Sequence, residues 1–349
     1  MTTSTAPEPD VDTRTAAPPP ARRRRSRTML GLVVGVGILV AGLAVPYVVS
    51  GTYSMGLLLN ATILSLMALG IGFLARHLGL ISLGHGAFFG ASAFAVGVAT
   101  TNWGWSPTAA VGFATLFGTG IALIIGVLVV RTSGFGFLML TLALSQALYQ
   151  LSVQISARPL TGAHDGKLLD YDSEATFLGL SQADVMNPGL FWPFAWVSLV
   201  VCAILLWLVG RSRFGTTLEG IRENEERMRF SGYNTFRPRL VAFVLSGAVA
   251  ALGGALFAIN SGYISPDILG FQKAGDSLIA ALIGGLSTLV GPILGTFLFV
   301  YAQAKLNLGG NLHLFTGMAL IVVLVFAPGG ITGALRKPYR RLRQKGRER

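Results

Sequence analysis

The sequence predicts an all-α, polytopic membrane protein, a bundle of about ten transmembrane spans. Of its 349 residues, 52% are hydrophobic and only 12% are charged, whereas soluble domains are about a quarter charged. Apolar runs of about 20 residues, long enough to cross a bilayer as a helix, recur along the chain. The 45 glycines suit helices that pack closely in a membrane.

The spans follow from the positions of the apolar runs. We predict the first seven at residues 29–49, 54–75, 78–100, 108–130, 135–156, 190–210 and 240–260. The next apolar stretch, 276–303, is interrupted by GGLSTLVGP at 284–292, so we expect a short eighth span and a ninth. Residues 312–328 form the predicted tenth.

The span count decides where the basic tails lie. Nine spans would place the basic C-terminal tail outside the cell. Ten place both termini in the cytoplasm, with 23 of the 27 Lys and Arg on that side, as the positive-inside rule predicts. The eighth span would then have about 13 residues and cover roughly 20 Å, less than the bilayer core, so neighbouring helices must shelter it.

The sequence predicts one membrane domain between two terminal tails. Residues 1–28 are predicted to be a disordered, basic cytoplasmic tail, 29–330 the membrane domain and 331–349 a basic cytoplasmic tail. Acidic residues prevail in the polar loop 158–189, which indicates the outer side. A net charge of +12 could suggest nucleic acid, but the charges flank apolar spans, so the expected partner is the lipid bilayer.

The longest charged segment between two spans is residues 211–239, here called the central segment. It holds seven Arg and four Glu. Glu223 and Glu225 each lie four residues before an Arg, which predicts a short helix, preceded by Gly215 and ended by Gly232. We interpret the central segment as a cytoplasmic docking loop on which a separate soluble protein acts; the alternative is a solvated surface helix, which charge runs of this kind usually form.

Few polar residues interrupt the spans. His85, between two glycines, lies either at the mouth of a transport pathway on a broken helix or in a hydrogen-bonded packing position. Gly86 and Gly90 have the spacing of a close-packing face. Asp276 is interpreted as a residue at a helix start. The candidates for the translocation pathway are Ser82, His85, Phe88, Phe89, Ser145 and Gln146.

The sequence contains no pattern that predicts catalysis or metal binding. The four His have no metal-ligand spacing, and no nucleophile and base are clustered. Residues 161–167 resemble a phosphate-binding loop, but three residues instead of four separate the glycines and Leu168 follows the Lys. No catalytic residue, metal or bound cofactor is therefore expected.

Several motifs carry a resemblance to a known family. They are GLISLGHGAFFGASAF (79–94), TGA (161–163), GTTLEGIRENE (215–225), SGYN (231–234), LVAFVLSGAVAALGGALFA (240–258), ISPD (264–267) and LIGGLSTLVGPILG (282–295). Together they resemble the branched-chain amino acid permeases of ABC importers, and most closely the longer, LivM-type subunit. The resemblance covers most of residues 57–330.

The resemblance implies a permease subunit with the type II, vitamin-B12-importer fold, in the plasma (inner) membrane. It implies three kinds of partner: a second, related permease subunit, two ATPase subunits that bind the ATP, and an extracytoplasmic solute-binding protein. The family's ATPase-coupling loop maps onto Gly215, Glu219, Ile221, Arg222, Glu223, Asn224, Glu225, Gly232 and Asn234. The implied solutes are leucine, isoleucine and valine, with urea or short-chain amides as the alternative.

A secondary transporter is the rival class. The near absence of Asp, Glu, Lys and Arg within the spans disfavours it, because ion coupling usually requires such groups. If the central segment couples to an ATPase, reversing the charge of Glu223 or Glu225 should leave the protein inserted but reduce uptake.

Overall fold

The computed structural model describes residues 21–49, 51–170, 175–306, 317–318 and 330–333. The predicted N-terminal tail up to residue 20, most of the predicted tenth span and the C-terminal tail from residue 334 lie outside these ranges. The α-helices are α1 (Ala21–Leu43), α2 (Val45–Val48), α3 (Thr52–Leu78), α4 (His85–Gly97), α5 (Pro107–Val129), α6 (Gly134–Val153), α7 (Arg158–Thr161), α8 (Gln182–Met186), α9 (Pro188–Arg211), α10 (Arg213–Glu223), α11 (Glu225–Phe230), α12 (Phe236–Ser261), α13 (Phe271–Gly284) and α14 (Val290–Leu306).

Five of the described helices, α3, α5, α6, α9 and α12, are long and apolar enough to cross a membrane. They coincide with the predicted second, fourth, fifth, sixth and seventh spans, which confirms helices at those positions. Large apolar side chains such as Leu116 (74% exposed) and Ile124 (62% exposed) on α5 point outward. An apolar exterior of this kind suits a lipid environment.

The core is built around α12, which packs against α3, α4 and α5. Glycines allow this close approach: a Cβ on Gly254 of α12 would lie 1.9 Å from the carbonyl oxygen of Phe89 in α4. Residues 61–75 of α3 are all buried. Because α3 and α12 are largely buried, close packing of their side chains contributes much of the contact that holds the neighbouring helices in place.

The predicted third span is only partly helical. α3 ends at Leu78 and is followed by Gly79 in a left-handed conformation (φ 69°), and α4 begins only at His85. The resulting 13-residue α4 is about 20 Å long, shorter than the 23-residue span predicted for 78–100. Gly86 and Gly90 do form a close-packing face, since a Cβ on Gly90 would lie 2.6 Å from Leu269.

The apolar stretch 276–303 was predicted to form two spans separated at residues 284–292, and the structure has a helix break there. α13 ends at Gly284 and α14 begins at Val290. α13 begins at Phe271, so Asp276 lies in its second turn and not at its start as predicted. The Thr332 hydroxyl donates to the Gly284 carbonyl (2.9 Å), which extends the packed domain beyond the predicted boundary at residue 330.

The first helix begins inside the predicted N-terminal tail. α1 starts at Ala21, so residues 21–28 are helical and not disordered as predicted; Ala and Arg are strong helix formers that prolong the apolar helix. α1 packs on α9, where the indole N–H of Trp192 donates to the Gly42 carbonyl (2.8 Å) and that of Trp196 to the Leu39 carbonyl (3.2 Å).

Candidate functional site

The central segment lies at one end of the bundle. α9 leads into it and α12 leads away from it, and both helices run to the opposite end. That opposite end, here called the distal end, contains residues 154–170, 175–187 and 262–270. There a two-stranded antiparallel sheet pairs β1 (Lys167–Leu168) with β2 (Tyr263–Ile264). The predicted polar loop 158–189 and the central segment are thus separated by the length of the bundle.

α10 packs along the ends of α3 and α9. It begins after Ser212, whose hydroxyl accepts a hydrogen bond from the Gly215 N–H (3.4 Å). Leu218 and Ile221 are buried, which gives the helix one apolar face. Gly215 lies inside α10 and does not precede the helix as predicted. It allows a tight corner, since a Cβ there would lie 2.2 Å from the Gly210 carbonyl oxygen.

The central segment contains two helices and not the single one predicted. Asn224 is extended (φ −160°, ψ 99°), and its side-chain oxygen accepts a hydrogen bond from the Arg227 N–H (2.8 Å) to cap α11. The break separates Glu223 from Arg227, and no ion pair joins these two described side chains. The predicted pair of Glu225 with Arg229 does form, at 2.7 Å.

Glu225 joins the central segment to the membrane helices. Its Oε1 accepts from Arg229 (2.7 Å) and Thr235 (2.9 Å), and its Oε2 pairs with Arg239 Nη1 (2.8 Å). Arg239, in the first turn of α12, is only 3% exposed and also donates to the Thr132 carbonyl after α5. Burial alone would raise the pKa of Glu225, but the hydrogen bonds and positive charges of these partners lower it below its ordinary value of 4.5.

Two contacts attach α10 to the end of α3. Glu219 Oε1 lies 3.4 Å from His77 Nδ1, within ion-pair range but without the alignment of a hydrogen bond. The Arg222 guanidinium donates to the Arg76 carbonyl. Glu219 and Arg222 therefore hold the helix in place, while their exposed portions remain on its outer surface.

The outer surface of the central segment is charged with aromatic residues among the charges. Glu223 is exposed, and Phe230 at the end of α11 is 90% exposed. Tyr233 is 55% exposed, between Gly232, whose φ is +83°, and Asn234, whose side chain caps α12. The sequence interpretation missed Phe230 and Tyr233; an aromatic residue within a run of charges was the available signal. Exposed aromatic anchors are typical of protein interfaces.

Four of the predicted pathway residues lie together in the interior. Ser82, His85, Phe88 and Phe89 are all fully buried. His85 Nε2 is 3.2 Å from the Ser246 hydroxyl of α12, and its ring meets Phe88 and Phe243 edge-on. This geometry matches the hydrogen-bonded packing alternative for His85; the pathway role of these residues stays a prediction.

The other two predicted pathway residues lie on α6 near the distal end. Ser145 is buried, and its hydroxyl donates to the Leu269 carbonyl (3.3 Å), which fixes α6 to the 3₁₀ turn Pro266–Leu269. Gln146 is half-buried and borders a cavity between α6 and the start of α13. Of the six predicted pathway residues, Gln146 therefore borders this cavity.

The apolar helices and the charged central segment define an integral membrane protein with a charged, exposed segment at one end of its helical bundle. Residues 53–327 match the family described as "Branched-chain amino acid transport system / permease component", and the chain belongs to this family. It is thus a permease component of an ABC transporter and not itself an enzyme. The family works with ATPase and solute-binding partners.

Individual relatives differ in what they transport. The chain is 24% identical over 318 residues to the high-affinity branched-chain amino acid transport system permease protein LivM of Escherichia coli K12, covering 85% of this chain and 73% of that protein. It is 30% identical over 286 residues to the autoinducer 2 import system permease protein LsrC of Yersinia pseudotuberculosis, covering 76% and 74%. A solved metal-chelate type ABC transporter in an inward-facing conformation matches with a TM-score of 0.47 at 16% identity, covering 84% of this chain and 98% of that one.

Proposed function

We propose that this chain carries leucine, isoleucine and valine across the plasma (inner) membrane as one subunit of an ATP-driven importer. The family match over residues 53–327, with LivM among the relatives, carries this proposal. The 30% identity to LsrC favours a second candidate, import of autoinducer 2. Urea and short-chain amides remain the alternative that the sequence resemblance implies.

The proposed assembly follows from the same family. The chain pairs with a second, related permease subunit to form a heterodimer, two ATPase subunits bind the central segment side, and an extracytoplasmic binding protein delivers the solute to the distal end. The chain has ten spans in the type II importer fold, and both of its termini lie in the cytoplasm. It binds no cofactor of its own, because the ATPase subunits bind the ATP.

The proposed mechanism uses the contacts of the central segment. Phe230 and Glu223 contact an ATPase subunit, and ATP binding moves the surface on which α10 and α11 rest. The ion pair from Glu225 to Arg239 passes this movement to α12, and the contacts of α10 with α3 pass it to the core. Because α12 packs against α3, α4 and α5, its displacement favours one of two packing arrangements of the bundle.

The test is uptake by the whole reconstituted complex. We expect leucine transport into proteoliposomes that requires ATP, the ATPase subunits and the binding protein together. Leucine uptake by the permease pair alone under an ion gradient would instead support a secondary transporter. ATP-dependent uptake of urea or of autoinducer 2, without leucine uptake, would retain the importer and replace the proposed solute.

A further inference from the structure

An apolar cavity lies between α4, α5, α6 and α7 near the distal end of the bundle. Its volume is about 380 Å³. Ala91 and Ala95 of α4 form its inner wall, and because both side chains are small they leave the space open. Phe113 and Phe117 line it from α5, and Leu148 lines it from α6. The space is thus bounded by hydrocarbon on three sides.

The cavity offers few hydrogen-bonding groups to a ligand. Of the described residues that border it, none is charged. Ser152 and Thr161 carry hydroxyls, but these donate to the carbonyls of Tyr149 (2.7 Å) and Ser152 (2.6 Å) respectively. A polar solute or water would find few partners in such a space, whereas a hydrocarbon chain needs none. The lining therefore favours an apolar occupant.

The cavity opens on the outer surface of the bundle between α5 and α6. Phe117 of α5 and Leu151 of α6 border it and are 45% and 56% exposed. The adjoining exterior of α5 is apolar, with Leu116 and Ile124 pointing outward. In a membrane, lipid chains are the atoms next to this opening. A cavity left empty would deprive its lining of dispersion contacts, so a lipid chain that enters it gains them.

Two tryptophans mark the distal rim of the cavity. Trp103 lines it, and its ring centroid lies 5.4 Å from that of Trp105 and 5.3 Å from that of Phe113. The two tryptophans are 52% and 42% exposed. Tryptophan is enriched where a membrane meets water, because its ring is apolar and its N–H is polar. The cavity therefore extends from the headgroup level into the hydrocarbon region.

Lys167 of β1 places a positive charge at this rim. Its Nζ donates to the Asn102 side chain and to the Pro159 carbonyl (3.4 Å), and these two residues directly precede Trp103 and Leu160, which line the cavity. Both acceptors are neutral, and no carboxylate of the described residues forms an ion pair with Lys167. Partial burial lowers the pKa of Lys167 below its ordinary value of 10.5, since its ammonium group loses hydration. An anion at the rim would supply the missing opposite charge.

From this arrangement we infer that the cavity binds one phospholipid molecule from the leaflet at the distal end. One acyl chain fills the space between α5 and α6, and the phosphate group pairs with Lys167. A phospholipid satisfies both parts of the site, because it joins a long apolar chain to an anionic group at the membrane surface. The inference does not depend on which solute the protein carries.

The bound lipid supports α6 on one side. Leu148, which lines the lipid cavity, and Gln146, which borders the polar cavity beside α13, are two residues apart and lie on nearly opposite faces of the helix. The Ser145 hydroxyl fixes the same helix to the carbonyl of Leu269, which also lines the lipid cavity. The phospholipid therefore completes the packing that positions α6.

The first experiment maps how far a lipid chain reaches into the assembled complex. Vesicles that contain the complex and a phosphatidylglycerol with a photoreactive diazirine in one acyl chain are irradiated, and the protein is digested. We expect label in residues 91–98 of α4 as well as on the exterior of α5. Phe94 and Ala95 are each 6% exposed, so the lipid that surrounds the protein does not reach them. An α4 without label would overturn the inference, because the cavity would then be empty or covered by another subunit.

A substitution that fills the cavity gives the matched comparison. Ala91→Phe occupies part of the space and should reduce the labelling of α4 at least about tenfold. Ala143→Phe, at an exposed position of α6 that does not line the cavity, should be labelled like the wild type. Unchanged α4 labelling in an assembled Ala91→Phe complex would overturn the site. If this variant does not assemble, the wild-type labelling of α4 decides the question.

The second experiment tests the headgroup by competition. Unlabelled phosphatidylglycerol should suppress the labelling of α4 at about a tenfold lower mole fraction than diacylglycerol with the same chains, because diacylglycerol lacks the phosphate. Lys167→Met should abolish this difference. Lys305→Met, an exposed lysine of α14 outside the cavity, is the control and should preserve it. Equal competition by the two lipids in the wild type would show that Lys167 binds no phosphate and would overturn the assignment of a phospholipid.

Discussion

Glu225 Oε2 and Arg239 Nη1 lie 2.8 Å apart, although 14 residues separate them in the chain. One residue begins α11 in the central segment, and the other lies in the first turn of α12 at 3% exposure. The pair makes α11 part of the bundle and not a loosely attached surface helix. A force on α11 therefore reaches α12 through a side-chain contact as well as through the intervening backbone.

Glu225→Gln should lower the stability of the purified complex. The substitution leaves the Arg239 guanidinium buried without its carboxylate, and we expect a loss of about 1–3 kcal/mol because Glu225 itself is partly hydrated. Thermal denaturation in detergent measures the effect. Glu226→Gln, at an exposed neighbouring position, is the matched control and should denature like the wild type. Equal behaviour of the two variants would show that the ion pair contributes nothing to stability.

The stability difference between wild type and Glu225→Gln should depend on pH in a defined direction. The pKa of Glu225 is lower in the folded protein than its ordinary value of 4.5, so the folded state binds fewer protons. The stabilising contribution is therefore complete above about pH 5 and lost as the pH falls through the folded pKa. Melting curves of both proteins from neutral to acidic pH should converge at the acidic end. If the difference in melting temperature between the two proteins stays constant over this pH range, Glu225 is not the group whose ionisation stabilises the fold.

Phe230→Ala and Glu223→Arg should weaken the binding of the ATPase subunit without preventing membrane insertion. Truncating an exposed aromatic anchor removes contact area, and we expect at least about a tenfold loss of affinity in co-purification or titration. Asp170→Arg, an equally exposed reversal at the distal end, should bind normally. Glu225 is a poor choice for this test, because its charge reversal would disturb the internal network and not only the outer surface.

Gly254→Ala should destabilise the bundle much more than Gly120→Ala. A Cβ at position 254 would overlap the Phe89 carbonyl oxygen, whereas the same atom at position 120 meets nothing within 4 Å. Overpacking of a rigid core costs about 1–3 kcal/mol or more. Expression level and melting temperature of the two variants give the comparison. Similar values for both would indicate that α4 and α12 separate easily.

Thiol labelling in intact cells should place the two ends on opposite sides of the membrane. Thr216→Cys on the exposed side of α10 should react with an impermeant reagent only after the cells are opened. Asp170→Cys at the distal end should react from outside in intact cells. Buried Cys202 provides a low background in both proteins. Labelling of Thr216→Cys from outside would reverse the proposed orientation.

Much of the helical pattern was predictable, because a long apolar run that crosses a membrane has few alternatives to forming a helix. The ends of helices were less predictable. Nothing in the hydropathy of residues 78–100 distinguishes helix from the turn at Gly79 and the late start at His85, and the break at Asn224 depends on one capping hydrogen bond. Local glycines did reveal the division between α13 and α14.

The sequence patterns could not predict contacts between residues that are far apart in the chain. Arg239 looked like one of many basic residues beside a span, yet it is buried against Glu225 and Thr132. Lys167 of β1 is the strand partner of Ile264 of β2, although nearly the whole central part of the chain lies between them in sequence. From the sequence, a single lysine in a polar connector predicts no particular role, so Lys273 was not a candidate residue. The structure places it in α13, at the same cavity as Asp276 and Gln146.

The peripheral position of α1 has an evolutionary consequence. α1 packs mainly on α9, and the family match begins only at residue 53, after α1 and α2 have ended. The helices that bury one another around α12 are thus assembled without it. Selection can replace, lengthen or delete such an accessory helix while the transport machinery is inherited unchanged, and the greatest divergence among related chains should be found there.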